Sequence, residues 1–179
     1  MGVDCAWHLA GFMEGFAAHR GTDGIALGEI ARRKWKETGV SDPFNLERFV
    51  IAQNEVYARV VLELSAGEKR SHWMWFVFPQ LRGLGHSVQA DYYGVGSLAE
   101  AEAYWKHPVL GPRLEQCTRL VNLVEGRPID EIFGSPDDLK FRSSMTLFAR
   151  VAPETPIFSQ ALEKYFGGEP DPMTMELLD

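Results

Sequence analysis

The feature that most constrains the fold is a run of six consecutive apolar residues in the middle of the chain, Trp73 to Phe78, four of them aromatic. As a strand, this segment would present apolar side chains on both faces, so periodicity does not distinguish a buried strand from a short buried helix. In either conformation other elements must cover it, because aromatic surface of this extent is stable only when it is removed from water. We therefore expect the segment in the hydrophobic core.

Length and composition predict one soluble domain. The chain has 179 residues, of which 45% are hydrophobic and 24% are charged, and a chain of this length forms a core without disulfides. No apolar run approaches the roughly 18 residues of a membrane-spanning helix, and Asp4 stands where a secretory signal carries a basic residue. Cys5 and Cys117 do not form a CxxC pair, so we expect free thiols and a cytoplasmic location.

The charge pattern limits the partners. The net charge is −7, and residues 153–179 carry six acidic side chains against one lysine, which is −5. We therefore expect no binding of duplex nucleic acid. Residues 67–96 carry three basic side chains against two acidic ones, which leaves +1 and keeps a local anion site open. The five histidines and two cysteines have no metal-ligand spacing, so the sequence predicts neither a metal site nor a cofactor.

Helical periodicity dominates the chain from residue 42 onward. Five helices are predicted from apolar stripes at three- and four-residue steps, together with start and stop residues. They run from Asp42-Pro43 to about Ala66, from Ser97 to about Lys106, from about Pro112 to Val124, from Ser135-Pro136 through Phe148, and from Phe158 to Phe166. Gln53 falls on the apolar stripe of the first helix, where a polar side chain needs a partner.

Residues 1–41 have a different texture. Two short amphipathic stripes flank the turn sequence Gly21-Thr22-Asp23-Gly24, a pattern that indicates a helical hairpin or extension. We therefore expect an all-α protein. Its main part is a compact single-domain helical bundle of irregular topology over residues 42–179, and residues 1–41 form an N-terminal helical extension.

Three long strings of sequence are similar to a known family. They are KRSHWMWFVFPQLRGLG at 69–85, HPVLGPRL at 107–114 and DDLKFRSSMTLFA at 137–149. Together they resemble the bacterial family called domain of unknown function 1810, over roughly residues 44–179. The resemblance implies a compact, mostly helical single domain. It implies no reaction, because the family name records that none is established.

A fainter similarity concerns the NADAR family, whose members act on ADP-ribose-type substrates. It rests on Ala52-Gln53, on Gly111-x-Arg113, and on Lys140 followed by Met145 and Phe148. The acidic residue and the tryptophan-glycine segment of that family have no match in this sequence. No catalytic residue is therefore carried over from it.

The aromatic segment and its polar flanks form one candidate ligand site. Aromatic rings stack on planar bases, and arginine forks onto phosphate oxygens, so the combination suits a base joined to a phosphate. The candidate ligand-binding residues are Lys69, Arg70, His72, Trp73, Trp75, Gln80, Arg82, His86 and Arg113. The alternative is that the aromatic residues only build the core and the charges ring it. A buried indole N–H needs an acceptor, for which Gln53 or Gln80 is available.

Asp137, Lys140 and Ser144 are the candidate catalytic residues, because their spacing places them on one face of a helix. Lys140 would hold an anion while Asp137 orients a hydroxyl or a water. The alternative is a surface ion pair worth about 0.3–0.5 kcal/mol. Two functions follow from the sequence. One is binding of a nucleotide or ADP-ribose-like anionic small molecule, with hydrolysis open; the other is a non-enzymatic helical interaction module whose protein partner the sequence does not specify.

Overall fold

The computed structural model describes residues 42–179, and the predicted extension over residues 1–41 lies outside the described residues. Regular secondary structure in the described part is helical throughout, apart from one isolated parallel bridge between Leu81 and Val95. The helices are α1 (Glu47–Ser65), α2 (Met74–Val77), α3 (Val88–Tyr92), α4 (Leu98–Lys106), α5 (Leu110–Leu123), α6 (Ile129–Phe133), α7 (Asp137–Val151), α8 (Ile157–Phe166) and α9 (Pro172–Leu178). The predicted all-α class is confirmed. The boundary between residues 41 and 42 stays a prediction.

The first predicted helix begins later than its sequence pattern indicates. Asn45 has a φ of 52°, a left-handed conformation that interrupts the helix, so α1 starts at Glu47 rather than at Pro43. Asp42 still caps the start, because its carboxylate accepts the backbone N–H groups of Leu46 at 2.8 Å and Glu47 at 3.1 Å. At the other end Gly67, with a φ of 64°, follows the helix as predicted.

The other four predicted helices are present, with small shifts at their starts. Ser97 caps α4, because its hydroxyl accepts the N–H of Glu100 at 3.2 Å. Helix α5 begins before Pro112, because the Nδ1 atom of His107 accepts the N–H of Leu110 at 3.3 Å. Helix α7 begins at Asp137, and the N-cap position falls on Pro136 rather than on Ser135.

The aromatic segment forms a short helix, α2, instead of a strand. Five of its six side chains are buried, as expected, and Trp73 and Phe78 are each 1% exposed. Phe78 packs edge-to-face on Phe141 of α7, with ring centroids 5.0 Å apart. Trp75 differs from the other five because it is only partly buried.

Helix α1 holds α2 in place through a polar side chain. Gln53 is 1% exposed and donates from Nε2 to the carbonyl of Phe76 at 2.7 Å and to the hydroxyl of Tyr104 at 2.9 Å. Its predicted need for a partner is therefore met. Helix α7 packs against α2, α4, α6, α8 and α9, so the core lies around α7. Within residues 42–179, no helix has the length and apolar character needed to cross a membrane.

Candidate functional site

Glu63, near the end of α1, organises the chain that leads into α2. Its Oε2 atom accepts the indole N–H of Trp73 at 2.8 Å and the backbone N–H groups of Arg70 at 2.9 Å and Ser71 at 3.1 Å. Its Oε1 atom accepts the hydroxyl of Ser71 at 2.6 Å. Burial raises the pKa of this carboxyl, but the hydrogen bonds outweigh burial and lower its pKa to about 2. Trp73 is thereby fixed in the core.

The partner of the Trp73 indole is thus Glu63, and neither Gln53 nor Gln80 takes that role. Gln53 donates elsewhere, to Phe76 and Tyr104. A glutamate near the end of a helix is usually a solvated surface residue. For that reason the sequence pattern did not single out Glu63.

Lys69, Trp75, Asp137 and Lys140 lie together, and we call this group the Asp137 cluster. The Nζ atom of Lys69 is 2.7 Å from Oδ2 of Asp137, and the Nζ atom of Lys140 is 2.6 Å from Oδ1. Lys140 also lies over the indole of Trp75, with Nζ 4.9 Å from the ring centroid. Two ammonium groups thus share one carboxylate, and the cluster carries a formal charge of +1.

The Asp137 cluster is largely removed from solvent. The side chains of Lys69, Asp137 and Lys140 are 9%, 17% and 21% exposed. Burial raises the pKa of Asp137, but hydrogen bonds from Lys140 and Lys69 outweigh burial and lower the pKa below its usual range. Asp137 is therefore ionised at neutral pH, and each of its oxygens already accepts an ammonium.

Three buried side-chain polar atoms, on cluster members or on residues close to them in the sequence, lack a hydrogen-bond partner among the described residues. They are the indole nitrogen of Trp75, Oδ1 of Asp138, and the hydroxyl of Ser144, a residue that is 0% exposed. Ser144 lies one helical turn beyond Lys140 on α7. Buried polar groups are normally paired, so unpaired ones mark positions with hydrogen-bonding capacity to spare.

Arg113 lies on the α1–α5 side of the domain. Its Nη1 atom is 3.3 Å from Oε1 of Gln53, and its Nη2 atom is 2.8 Å from Oδ1 of Asn54. The guanidinium also lies over the ring of Tyr57, 4.5 Å from the centroid. These contacts do not include a member of the Asp137 cluster.

The side chains of the other predicted ligand residues differ in exposure. Arg70 is exposed and pairs with Glu68 at 2.9 Å, and His72 and His86 are exposed. Gln80 is buried.

Arg82 lines a groove of about 380 Å³ together with Leu98 and Leu177. Its Nη2 atom is 3.3 Å from the carbonyl of Gly94, and its Nε atom is 3.7 Å from Asp91. The structure therefore brings Lys69, Trp75, Asp137 and Lys140 together, whereas the contacts of Arg82 lie with a different set of residues. The ligand role of each residue stays a prediction.

The fold and the cluster define a small all-helical domain with a partly buried, positively charged side-chain cluster beside a tryptophan. Residues 43–178 match the family model described as a protein of unknown function (DUF1810), and the chain belongs to this family. The resemblance found from the three sequence strings is thus confirmed. Every residue of the Asp137 cluster falls within the matched range.

A solved structure is similar to this chain in both sequence and fold. It is the crystal structure of the conserved hypothetical protein Rv1873 from Mycobacterium tuberculosis, which is 62% identical and superposes with a TM-score of 0.76. The match covers 76% of this chain and 98% of that chain. No curated protein sequence matches this one significantly.

Proposed function

We propose that the protein binds an anionic small molecule of the nucleotide or ADP-ribose type at the Asp137 cluster. The observation that carries the proposal is the excess of positive over negative charge in the cluster, where Lys69 and Lys140 share the single carboxylate of Asp137. A net positive charge that is mostly removed from water is costly unless an anion balances it. A phosphate group placed against the two ammonium groups would provide that balance.

Trp75 supports a ligand with a planar ring. Trp75 is partly exposed, although it belongs to a segment whose other side chains are buried. Stacking of an aromatic side chain on a nucleic-acid base contributes about 1–3 kcal/mol of binding free energy per base. A base on Trp75 would also lie near the ammonium of Lys140, which is where its phosphate is needed.

We propose that the protein binds this ligand and does not hydrolyse it. Hydrolysis would require a group that takes a proton from water, and Asp137 is the carboxylate at hand. Both of its oxygens already accept an ammonium, and its lowered pKa makes it a weak base. In the proposed site Asp137 therefore positions the two lysines.

Calorimetric titration with ADP-ribose, AMP and inorganic phosphate tests the proposal. We expect Lys140→Gln to weaken binding by about 10- to 100-fold, since a charge-assisted hydrogen bond contributes about 1.5–3 kcal/mol. The matched control is Lys106→Gln, because Lys106 is 73% exposed and pairs with Glu102 on the surface. The proposal fails if wild type gives no heat at millimolar ligand, or if both variants lose affinity equally.

A second candidate function, a non-enzymatic interaction module, is favoured by two exposed leucines. Leu62 and Leu123 are 71% and 68% exposed. Leu123 also lines a groove of about 380 Å³ with Ala66 and Val124. An exposed leucine beside the other apolar residues of a groove, as at Leu123, is typical of a protein contact surface. Sedimentation of wild type and Leu123→Lys tests a second copy as the partner; a wild type that stays monomeric at high concentration rejects that partner.

The proposal also includes a cytoplasmic location and a small ligand in preference to duplex nucleic acid. The support for the location is the buried free thiol of Cys117, whose pKa burial raises to about 12. The net charge of −7 supports the choice of ligand, because a chain this acidic repels an extended polyanion.

A further inference from the structure

We propose that Arg113 forms a second, independent site for an oxyanion, either a phosphate or a carboxylate group. The site lies between α1 and α5, and the proposal does not depend on the Asp137 cluster. It rests on a guanidinium that is half-buried and has no carboxylate among its described partners.

The contrast with three carboxylate-paired cations of the domain is the first observation. Arg48 is buried and pairs with Glu100 at 2.6 Å, and Lys69 and Lys140 pair with Asp137. The acceptors of Arg113 are instead the neutral amide oxygens of Gln53 and Asn54. A neutral acceptor orients a guanidinium but leaves its charge unbalanced.

The donor count is the second observation. A guanidinium has five N–H donors, and the two bonds to Gln53 and Asn54 use one donor each. Three donors therefore remain, among them the N–H of Nε. The ring of Tyr57 covers one face of the group at 4.5 Å, and the remaining N–H groups point outward in the guanidinium plane, along its edge. A planar edge with parallel donors matches phosphate and carboxylate oxygens.

The surrounding groups hold Arg113 in position. Gln53 is fixed because its amide nitrogen donates to Phe76 and Tyr104. The hydroxyl of Tyr57 donates to Oε1 of Gln116 at 2.8 Å, which fixes the ring. A pre-positioned guanidinium loses less side-chain entropy when an anion binds.

Burial lowers the pKa of Arg113, which is the expected effect on a cation that has lost water and gained no anion. The guanidinium nevertheless stays protonated at neutral pH. A purely structural role, in which Arg113 only ties α5 to α1, predicts no response to added anions.

The test is a titration of the full chain with inorganic phosphate and, separately, with acetate. The NMR resonance of the Arg113 Nε–H group is recorded at each anion concentration. Sodium chloride at matched ionic strength is the control. We expect a saturable shift of this resonance at millimolar phosphate or acetate, and the anion that gives the shift identifies the ligand class. We use the Lys140→Gln background to weaken any phosphate response of the Asp137 cluster. In that background we expect phosphate to raise the melting temperature of Arg119→Lys, but not of Arg113→Lys. Arg119 is a matched control because it lies on α5, is 62% exposed and pairs with Glu115.

Lys140→Gln separates the two proposals. Its Arg113 resonance should still respond, because the contacts of Arg113 do not include the Asp137 cluster. The inference is overturned if neither anion gives a saturable shift in wild type, or if Arg113→Lys and Arg119→Lys respond equally to phosphate in the Lys140→Gln background. Should Arg113→Lys fail to fold, the titration of wild type alone decides.

Discussion

The carboxylate of Glu63 accepts the indole N–H of Trp73 at 2.8 Å, and Glu63 is 9% exposed and Trp73 1% exposed. The same carboxylate binds two backbone N–H groups and the hydroxyl of Ser71. One side chain of α1 therefore fixes the whole entry into α2. The core position of Trp73 depends on this charge, because a buried indole N–H without an acceptor is costly.

We expect Glu63→Ala to lower the free energy of unfolding by about 3 kcal/mol, because a charged acceptor is lost and the Trp73 N–H stays buried. Glu63→Gln should cost less, since it keeps one acceptor oxygen. Urea denaturation measures both. Glu102→Gln is the control, because Glu102 is 52% exposed. Equal stability of Glu63→Ala and the control would show that this hydrogen-bond network is not stabilising.

We expect the free energy of unfolding to fall as the pH is lowered from about 5 to about 2. The pKa of Glu63 is about 2 in the folded chain, below its value in the unfolded chain. The unfolded state therefore binds more protons in this range, and acid favours unfolding. The pKa of Asp137 is also lowered, which acts in the same direction. Thermal melts at several pH values measure the effect, and Glu63→Gln should flatten the profile; an unchanged profile contradicts the assignment.

We expect Trp73→Ala to cost about 3–5 kcal/mol, because removal of a fully buried ring leaves a cavity. Trp75→Ala should cost about 1–2 kcal/mol, because Trp75 is only partly buried. The sequence places both side chains in the core, which would give the larger cost at both positions, so guanidinium denaturation of the two variants tests the difference in burial. A similar loss at both positions would contradict it.

We expect residues 42–179 to fold without residues 1–41. The match to the solved mycobacterial structure covers 98% of that chain but only 76% of this one. The Asp42 cap of α1 is retained in the truncated chain. Circular dichroism of the truncated chain should give a cooperative thermal melt. An uncooperative melt would show that the extension is required for folding.

The long helices were predictable from sequence because their apolar stripes repeat over several turns. Phe141, Met145 and Phe148 of α7 are 0% exposed, as the pattern predicts. Helices α3, α6 and α9 have five to seven residues each, too few turns to reveal a period. The start of α1 could not be placed because the conformation of Asn45 is not visible in a hydrophobic pattern.

In the candidate site, only contacts between residues close together in the sequence were predictable. Asp137 and Lys140 lie three residues apart on one helix, and their pairing follows from that spacing. The pairing of Lys69 with the same carboxylate joins positions far apart in the chain, and no local pattern carries that information. Glu63 was overlooked for a different reason, since burial of an acidic residue depends on the partners that surround it.

The two attachments of α2 to α1 have a consequence for local motion. Glu63 accepts a hydrogen bond from Trp73, just before α2, and Gln53 donates one to the carbonyl of Phe76 inside α2. Gln53 and Glu63 are ten positions apart on α1, which is about 15 Å along that helix. The segment therefore cannot open at one end without breaking a buried bond to a long, well-packed helix. Its amide hydrogens should exchange with deuterium only when the whole domain unfolds. A ligand that stacks on Trp75 would then meet a preformed surface, so its association rate should not be limited by a slow opening step.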